Sequence, residues 1–119
     1  MISLQDVYKT ELGKYNLTTS SQKFDEDIMY AIRRSVNVIN SSRVGLSCNN
    51  PLNMQDDLNI DEKYYDLVID LVDLYLQDRG NWGSQEAAEL RAKANVSIAR
   101  AHTWVSEDAA PDTRMGTIS

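Results

Sequence analysis

The chain has 119 residues, the size of one domain able to bury roughly two-thirds of its unfolded surface. Its 12 basic and 18 acidic residues give a net charge of −6, which argues against strong binding to a phosphate backbone, since that needs a clustered basic surface. Cys48 is the only cysteine, so there is no intrachain disulfide, and a cytosolic origin fits.

The acidity is local. From Asp56 to Asp78 eight acids face Lys63 alone, a local charge of −7, and the remainder carries +1. The first six residues, Met1 to Asp6, have neither the basic segment nor the apolar run of a signal peptide. The longest apolar stretch, Leu67 to Leu76, is interrupted by Asp70 and Asp73 and falls short of the roughly 18 residues a membrane span needs. A soluble intracellular product is expected.

Ser3-Leu4-Gln5-Asp6 reads as a capping box with Asp in place of Glu, followed at helical spacing by Leu4, Val7, Tyr8, Leu12 and Tyr15. Asn16 to Ser21 is a polar connection ending in N-capping residues. A second helix then runs to about Ser41 or Ser42, its face traced by Phe24, Ile28, Ala31, Ile32, Ser35, Val36 and Ile39. Asp25, Glu26 and Asp27 lie near its start, where the helix dipole favours negative charge. From Arg43 to Asn59 the chain is irregular, broken by Gly45, Pro51 and several asparagines. A connection this long is functional or covers something. Its scattered Val44, Leu46, Leu52, Met54 and Leu58 predict that it is pinned to a surface, either its own core or a neighbouring subunit.

Residues 61–79 predict a third helix with Tyr64, Leu67, Val68, Leu71, Val72 and Tyr75 on apolar positions and Glu62, Asp66, Asp70 and Asp73 along another stripe. Gly80 suits its C-cap, and Asn81-Trp82-Gly83 a tight turn. Ser84 opens a fourth helix whose buried face is Leu90, Ala94, Ile98, Ala101 and Val105, and whose alanines at 87, 88, 92, 94, 99 and 101 permit close helix approach. After Ser106 a polar tail containing Pro111 is expected to order only against a neighbour. The fold class is therefore all-α: a small four-helix bundle over residues 1–106, with a long loop between helices 2 and 3 and an extended C-terminal arm over 107–119.

No constellation spells a reaction. The acidic ladder lacks the matching acids and Glu/His pair that a carboxylate-bridged metal centre needs on other helices. The lone His102 has no triad partners, and the glycines match no nucleotide motif. No catalytic, cofactor or metal residue is assigned. Acids at i, i+4 repel, so the stripe is either a solvated face or a functional negative surface, such as the inner wall of a ring through which a polyanion slides. On the second reading, Asn at Asp66, Asp70 and Asp73 together relieves repulsion and leaves the fold at least as stable. Arg33, Arg34 and Arg43 form a small basic cluster suited to a neighbour's acids. Trp82 and Trp104 suit packing caps, or an interface anchor where exposed.

The stretch Phe24-Asp25-Glu26-Asp27-Ile28-Met29-Tyr30-Ala31-Ile32 running on to Asn37-Val38-Ile39-Asn40, the long connection, the acidic helix through Tyr64-Tyr65-Asp66-Leu67, and the alanine-rich last helix with its polar tail follow one layout. Over roughly residues 20–106 this layout resembles the head-completion or head–tail connector (adaptor) proteins of tailed bacteriophages. The resemblance implies a structural virion protein, made in the host cytoplasm and placed in the head–tail neck, forming a homo-oligomeric ring, twelve-fold in that family. The ring binds the portal protein, meets tail or neck proteins and extends the channel for DNA packaging and ejection, without sequence-specific DNA binding. The acidic stripe fits that reading independently and makes Glu62, Asp66, Asp70 and Asp73 its channel-lining candidates, while the family's contact roles transfer only to segments. Intersubunit or portal contacts fall to the long loop and the arm, where Pro111, Arg114, Met115 and Ile118 join Arg33, Arg34, Arg43 and Trp82 as interface candidates. The alternative is a small intracellular helical-bundle adaptor or regulator that binds another protein.

Overall fold

A helix that is apolar on most of its circumference must be covered on more than one side, and the stretch from Tyr65 to Leu76 meets that condition. In the computed structural model, which describes residues 1–15, 22–79 and 86–109, the chain forms four α-helices: α1 (Leu4–Lys14), α2 (Gln22–Ile39), α3 (Tyr65–Leu76) and α4 (Ala87–Ala109). Helix α3 lies at the centre, with its main helix contacts to α2 and α4. Leu67, Val68, Ile69, Leu71, Val72 and Leu76 are all buried there. The chain is all-α in class, with a small four-helix bundle as its architecture.

Helix α2 buries Phe24, Ile28, Ala31, Ile32, Ser35, Val36 and Ile39, the face its spacing predicts, and also Asp27. It ends at Ile39, two or three residues before the expected stop. Entry into α3 is by a 3-10 turn at Glu62–Tyr64, capped by the Asp61 carboxylate, which accepts from the Lys63 amide at 2.8 Å. A second 3-10 turn, Gln77–Arg79, closes α3. The expected stop at Gly80, the turn around Trp82 and the Ser84 cap lie outside the described residues, as does the 16–21 connection.

The Ser3 side chain makes no capping bond. Instead Ile2–Ser3 forms a short strand, β1, antiparallel to β2 (Asp57–Leu58), with Ile2 opposite Leu58 and Ser3 opposite Asp57. That pairing ties the chain start to the long loop and buries Ile2, Leu4 and Leu58 together in the core cluster.

The long loop is pinned to the chain's own core. Val44, Cys48 and Leu58 are buried, Leu46 and Met54 pack against the cluster, and Leu52 stands out at 80% exposure. Side chains supply the backbone partners that regular structure would have given. Asn40 donates to the Cys48 carbonyl at 2.8 Å and accepts from its amide at 2.6 Å. Asn49 and Asn59 exchange amide-to-side-chain bonds at 2.7 and 3.0 Å. Gly45 turns the chain with φ of 90°, a left-handed geometry that suits glycine.

Helix α4 buries Leu90, Ala94, Ile98 and Ala101, with Val105 partly covered. Only two of its six alanines between 87 and 101 face the core; Ala87, Ala88, Ala92 and Ala99 are exposed. The helix continues unbroken through Ala109, so residues 107–109 are bundle rather than arm, and Asp108 pairs with Lys63 at 2.8 Å. Among the described residues no helix is long and apolar enough to cross a membrane.

Candidate functional site

The acidic stripe of α3 is one line in sequence and three environments in space. Glu62 and Asp66 are exposed, Asp70 is half-buried, and Asp73 is 1% exposed. Neighbouring elements cause the difference. The C-terminal end of α1 comes down over Asp73, which accepts from the Lys14 ammonium and, at 3.1 Å, from the Tyr15 hydroxyl. Helix α4 approaches Asp70, which accepts from the Ser97 hydroxyl. Among the described residues nothing comparable covers Asp66, which opens with Asp70, Lys93, Val96, Ser97 and Arg100 onto a groove of about 420 Å³ between α3 and α4.

Asp73 is therefore corrected as a channel-lining residue: it is an interior ion-pair partner, and a wall residue must face the lumen. The expectation that Asn at all three aspartates is harmless fails with it, because removing one partner of a buried pair leaves the other uncompensated.

A second carboxylate shares that interior. Glu11 is fully buried, and neither side-chain oxygen has a hydrogen-bond donor. Burial first, then the neighbouring Asp73 carboxylate, push its carboxyl up to about 9. Burial pulls the Lys14 ammonium down, but the Asp73 hydrogen bond and charge outweigh it and hold it above its ordinary value. Burial and the Asp73 charge also raise the Tyr15 phenol. Sequence reasoning passed over Glu11, although it stands on the α1 stripe four residues after Val7 and seven after Leu4, where an apolar residue is expected.

Asp27, read from the sequence as a dipole-favoured acid at the helix start, is instead interior. It sits on the buried stripe of α2 rather than at a solvated helix start, pairing with Lys23 at 2.8 Å and with Arg79 at 3.3 Å. Since Lys23 also donates to the Arg79 carbonyl at 3.1 Å, this carboxylate ties α2 to the end of α3.

Of the basic candidates, Arg33 and Arg34 share one outward surface of α2, while Arg43 lies toward α4. Arg33 donates to the carbonyls of Pro51 and Leu52 at 3.4 and 3.2 Å, holding the loop. Arg34 bonds the Tyr30 hydroxyl at 3.2 Å and lies 5.0 Å from the Tyr75 ring centre. Arg43 reaches Asn95 on α4 at 3.3 Å. All three remain exposed, so their outer surfaces stay available while part of their bonding is internal. Trp82, Pro111, Arg114, Met115 and Ile118 lie outside the described residues.

Trp104 packs edge-on against Tyr64 at 5.9 Å, with Lys63 and Arg100 near its ring. Burial pushes the Cys48 thiol up to about 11, which keeps it protonated and unreactive near neutrality. His102 is exposed.

Helix α4 presents one further feature. Ala88, Ala92, Val96, Ala99, Thr103 and Ser106 recur at three- and four-residue steps, all exposed, and Val96 stands at 58%. This is an uncharged stripe of small side chains opposite the buried face, flanked by Glu89, Lys93 and Arg100 on one side and Arg91 and His102 on the other. Helix α2, across α3, turns outward a different surface containing Met29, Tyr30, Arg33 and Arg34.

No protein-family model, curated protein or solved structure matches the chain.

Proposed function

We propose that this protein is a non-enzymatic structural subunit of a phage head–tail connector, assembling head to tail into a ring that docks on the portal and extends the DNA channel. The observation that carries the reading is the flanking of α3 by two helices with unlike outer surfaces. A ring needs a heterologous interface, in which one patch meets a different patch on the next copy. The small, charge-free stripe on α4 allows close helix approach, while the α2 surface offers aromatic and guanidinium groups of the kind enriched at interfaces. Of the acidic ladder, Glu62 and Asp66 keep the exposure a channel wall requires. A negative lining keeps phosphates from adhering to the wall.

The test is assembly. The full-length protein, alone and co-expressed with the portal protein of the same genome, is sized by mass photometry and imaged by negative-stain electron microscopy. Rings or portal-bound collars are expected. Val96→Glu, at a position 58% exposed, is expected to fold normally and abolish them. A protein that stays monomeric and never binds the portal overturns the reading and favours the small-adaptor alternative.

A further inference from the structure

Glu11 and Asp73 pose a problem in acid–base bookkeeping. Both side chains lie in the interior, one from the last turns of α1 and one from α3, at 0% and 1% exposure. Two ionised carboxylates are both acceptors, so neither can satisfy the other, and both Glu11 oxygens lack a donor. One added proton resolves this. With a proton, Glu11 becomes a donor whose bond the neighbouring Asp73 carboxylate can accept, beside the donors that Lys14 and Tyr15 already supply to it. The cluster then holds one negative and one positive charge and is neutral overall.

The charged and titratable groups reaching Glu11 are Lys14 and Tyr15 from the end of α1, and Asp73 and Asp70 from α3. The α2 acids face elsewhere: Asp25 accepts from the Tyr8 hydroxyl, and Asp27 is paired with Lys23 and Arg79. From α4, Ser97 engages Asp70 and brings no charge to Glu11.

We propose that the C-terminal turn of α1, Glu11 to Tyr15, is seated on α3 by a proton shared between Glu11 and Asp73, so that the seat tightens in acid and loosens as the pH rises. The sign follows from linkage. With the folded carboxyl held at about 9 and the free one at its ordinary 4.5, the seated state binds more protons than the unseated state between these values. Seating is strongest below the lower value, weakens through the window by up to about tenfold per pH unit, and levels off above the upper one. The device therefore operates across neutrality and rests on nothing in the ring reading.

Full-length wild type and Glu11→Gln are compared by urea denaturation at pH 5.5, 7.0 and 8.5. The amide keeps a donor for Asp73 and cannot ionise. The wild-type folding constant is expected to fall relative to the variant's by close to tenfold per unit, while titrations elsewhere in the chain are common to both and cancel. Parallel pH profiles overturn the proposal. A carbon-13 titration of the Glu11 carboxyl in the folded wild type supplies a second readout that needs no variant, and a midpoint in the ordinary carboxylate range also overturns it. Hydrogen exchange, corrected for intrinsic rate, separates a local seat from general destabilisation. Amides 12–15 should lose protection with pH more steeply than amides 68–72, and a parallel loss counts against a local latch.

Discussion

Asp66 and Asp73 stand two turns apart on one helix and on nearly the same stripe, yet one is solvated and the other is interior. Their chemistry and helical azimuth are alike, so the difference lies in what arrives from elsewhere in the chain. Over Asp73 comes the end of α1, carrying a lysine and a tyrosine as donors. A regular carboxylate repeat thus comprises a surface feature at one end and a structural ion pair at the other. The penalty of burying an acid is met only where compensating partners come with it.

The sharpest way to break this comparison is to truncate the interior member. Asp73→Ala leaves the Lys14 ammonium and the Tyr15 hydroxyl without their acceptor. A fully buried pair costs several kcal/mol to break. Here the Lys14 side chain is 34% exposed and can turn partly to water, so the expected loss is about 2–3 kcal/mol. Urea denaturation at pH 7 measures it. A loss comparable to that of a surface substitution would show that the interior pair contributes little and that the two ends of the ladder are equivalent.

An intermediate effect belongs to Asp70. It is half-buried and accepts from Ser97, itself only 7% exposed. Asp70→Ala removes one charge-assisted hydrogen bond but leaves Asp70's site open to the α3–α4 groove, where water can reach the hydroxyl. The expected cost is about 1 kcal/mol, read by the same denaturation series. A cost equal to that of Asp73→Ala would place the boundary between surface and interior one turn earlier on α3.

Local periodicity made the α2 face and the α4 core positions legible in the sequence, because a buried stripe repeats every three or four residues whatever covers it. The same property hid the charged interior. Glu11 and Asp27 stand on those stripes, yet tracing only apolar residues omits Glu11, and the helix-dipole rule gives Asp27 a solvated place at the helix start. Sequence spacing could not distinguish Asp73 from Asp66, since what separates them is contact with α1 across 59 residues of chain. The β1–β2 pairing was illegible for a related reason: two residues on each side carry no alternation to detect. The long loop was legible as pinned but not as self-pinned, because the asparagine side chains that hold it bond across 8 to 10 residues rather than in a local turn. The exposed alanines on α4 could not be told from the buried ones in sequence, for alanine favours a helix on any face.

The smallest expected effect is at Asp66, and its smallness is informative. Asp66→Asn removes a charge from an exposed position in the first turn of α3. Losing a negative charge there weakens a favourable dipole interaction, while repulsion from Glu62 and Asp70 is relieved at the same time. These contributions oppose one another, so the net change in stability is expected within about 0.5 kcal/mol. Because the fold is left intact, any consequence for assembled particles is attributable to the surface itself. If Asp66 lines a channel, particles carrying the substitution, more tellingly together with Glu62→Gln, assemble but release DNA with altered, salt-dependent kinetics. Release indistinguishable from wild type at low and high salt would make these two carboxylates a solvated face only. A stability loss like that of Asp73→Ala would instead mean that Asp66 has a structural partner, and the contrast between the two ends of the ladder would disappear.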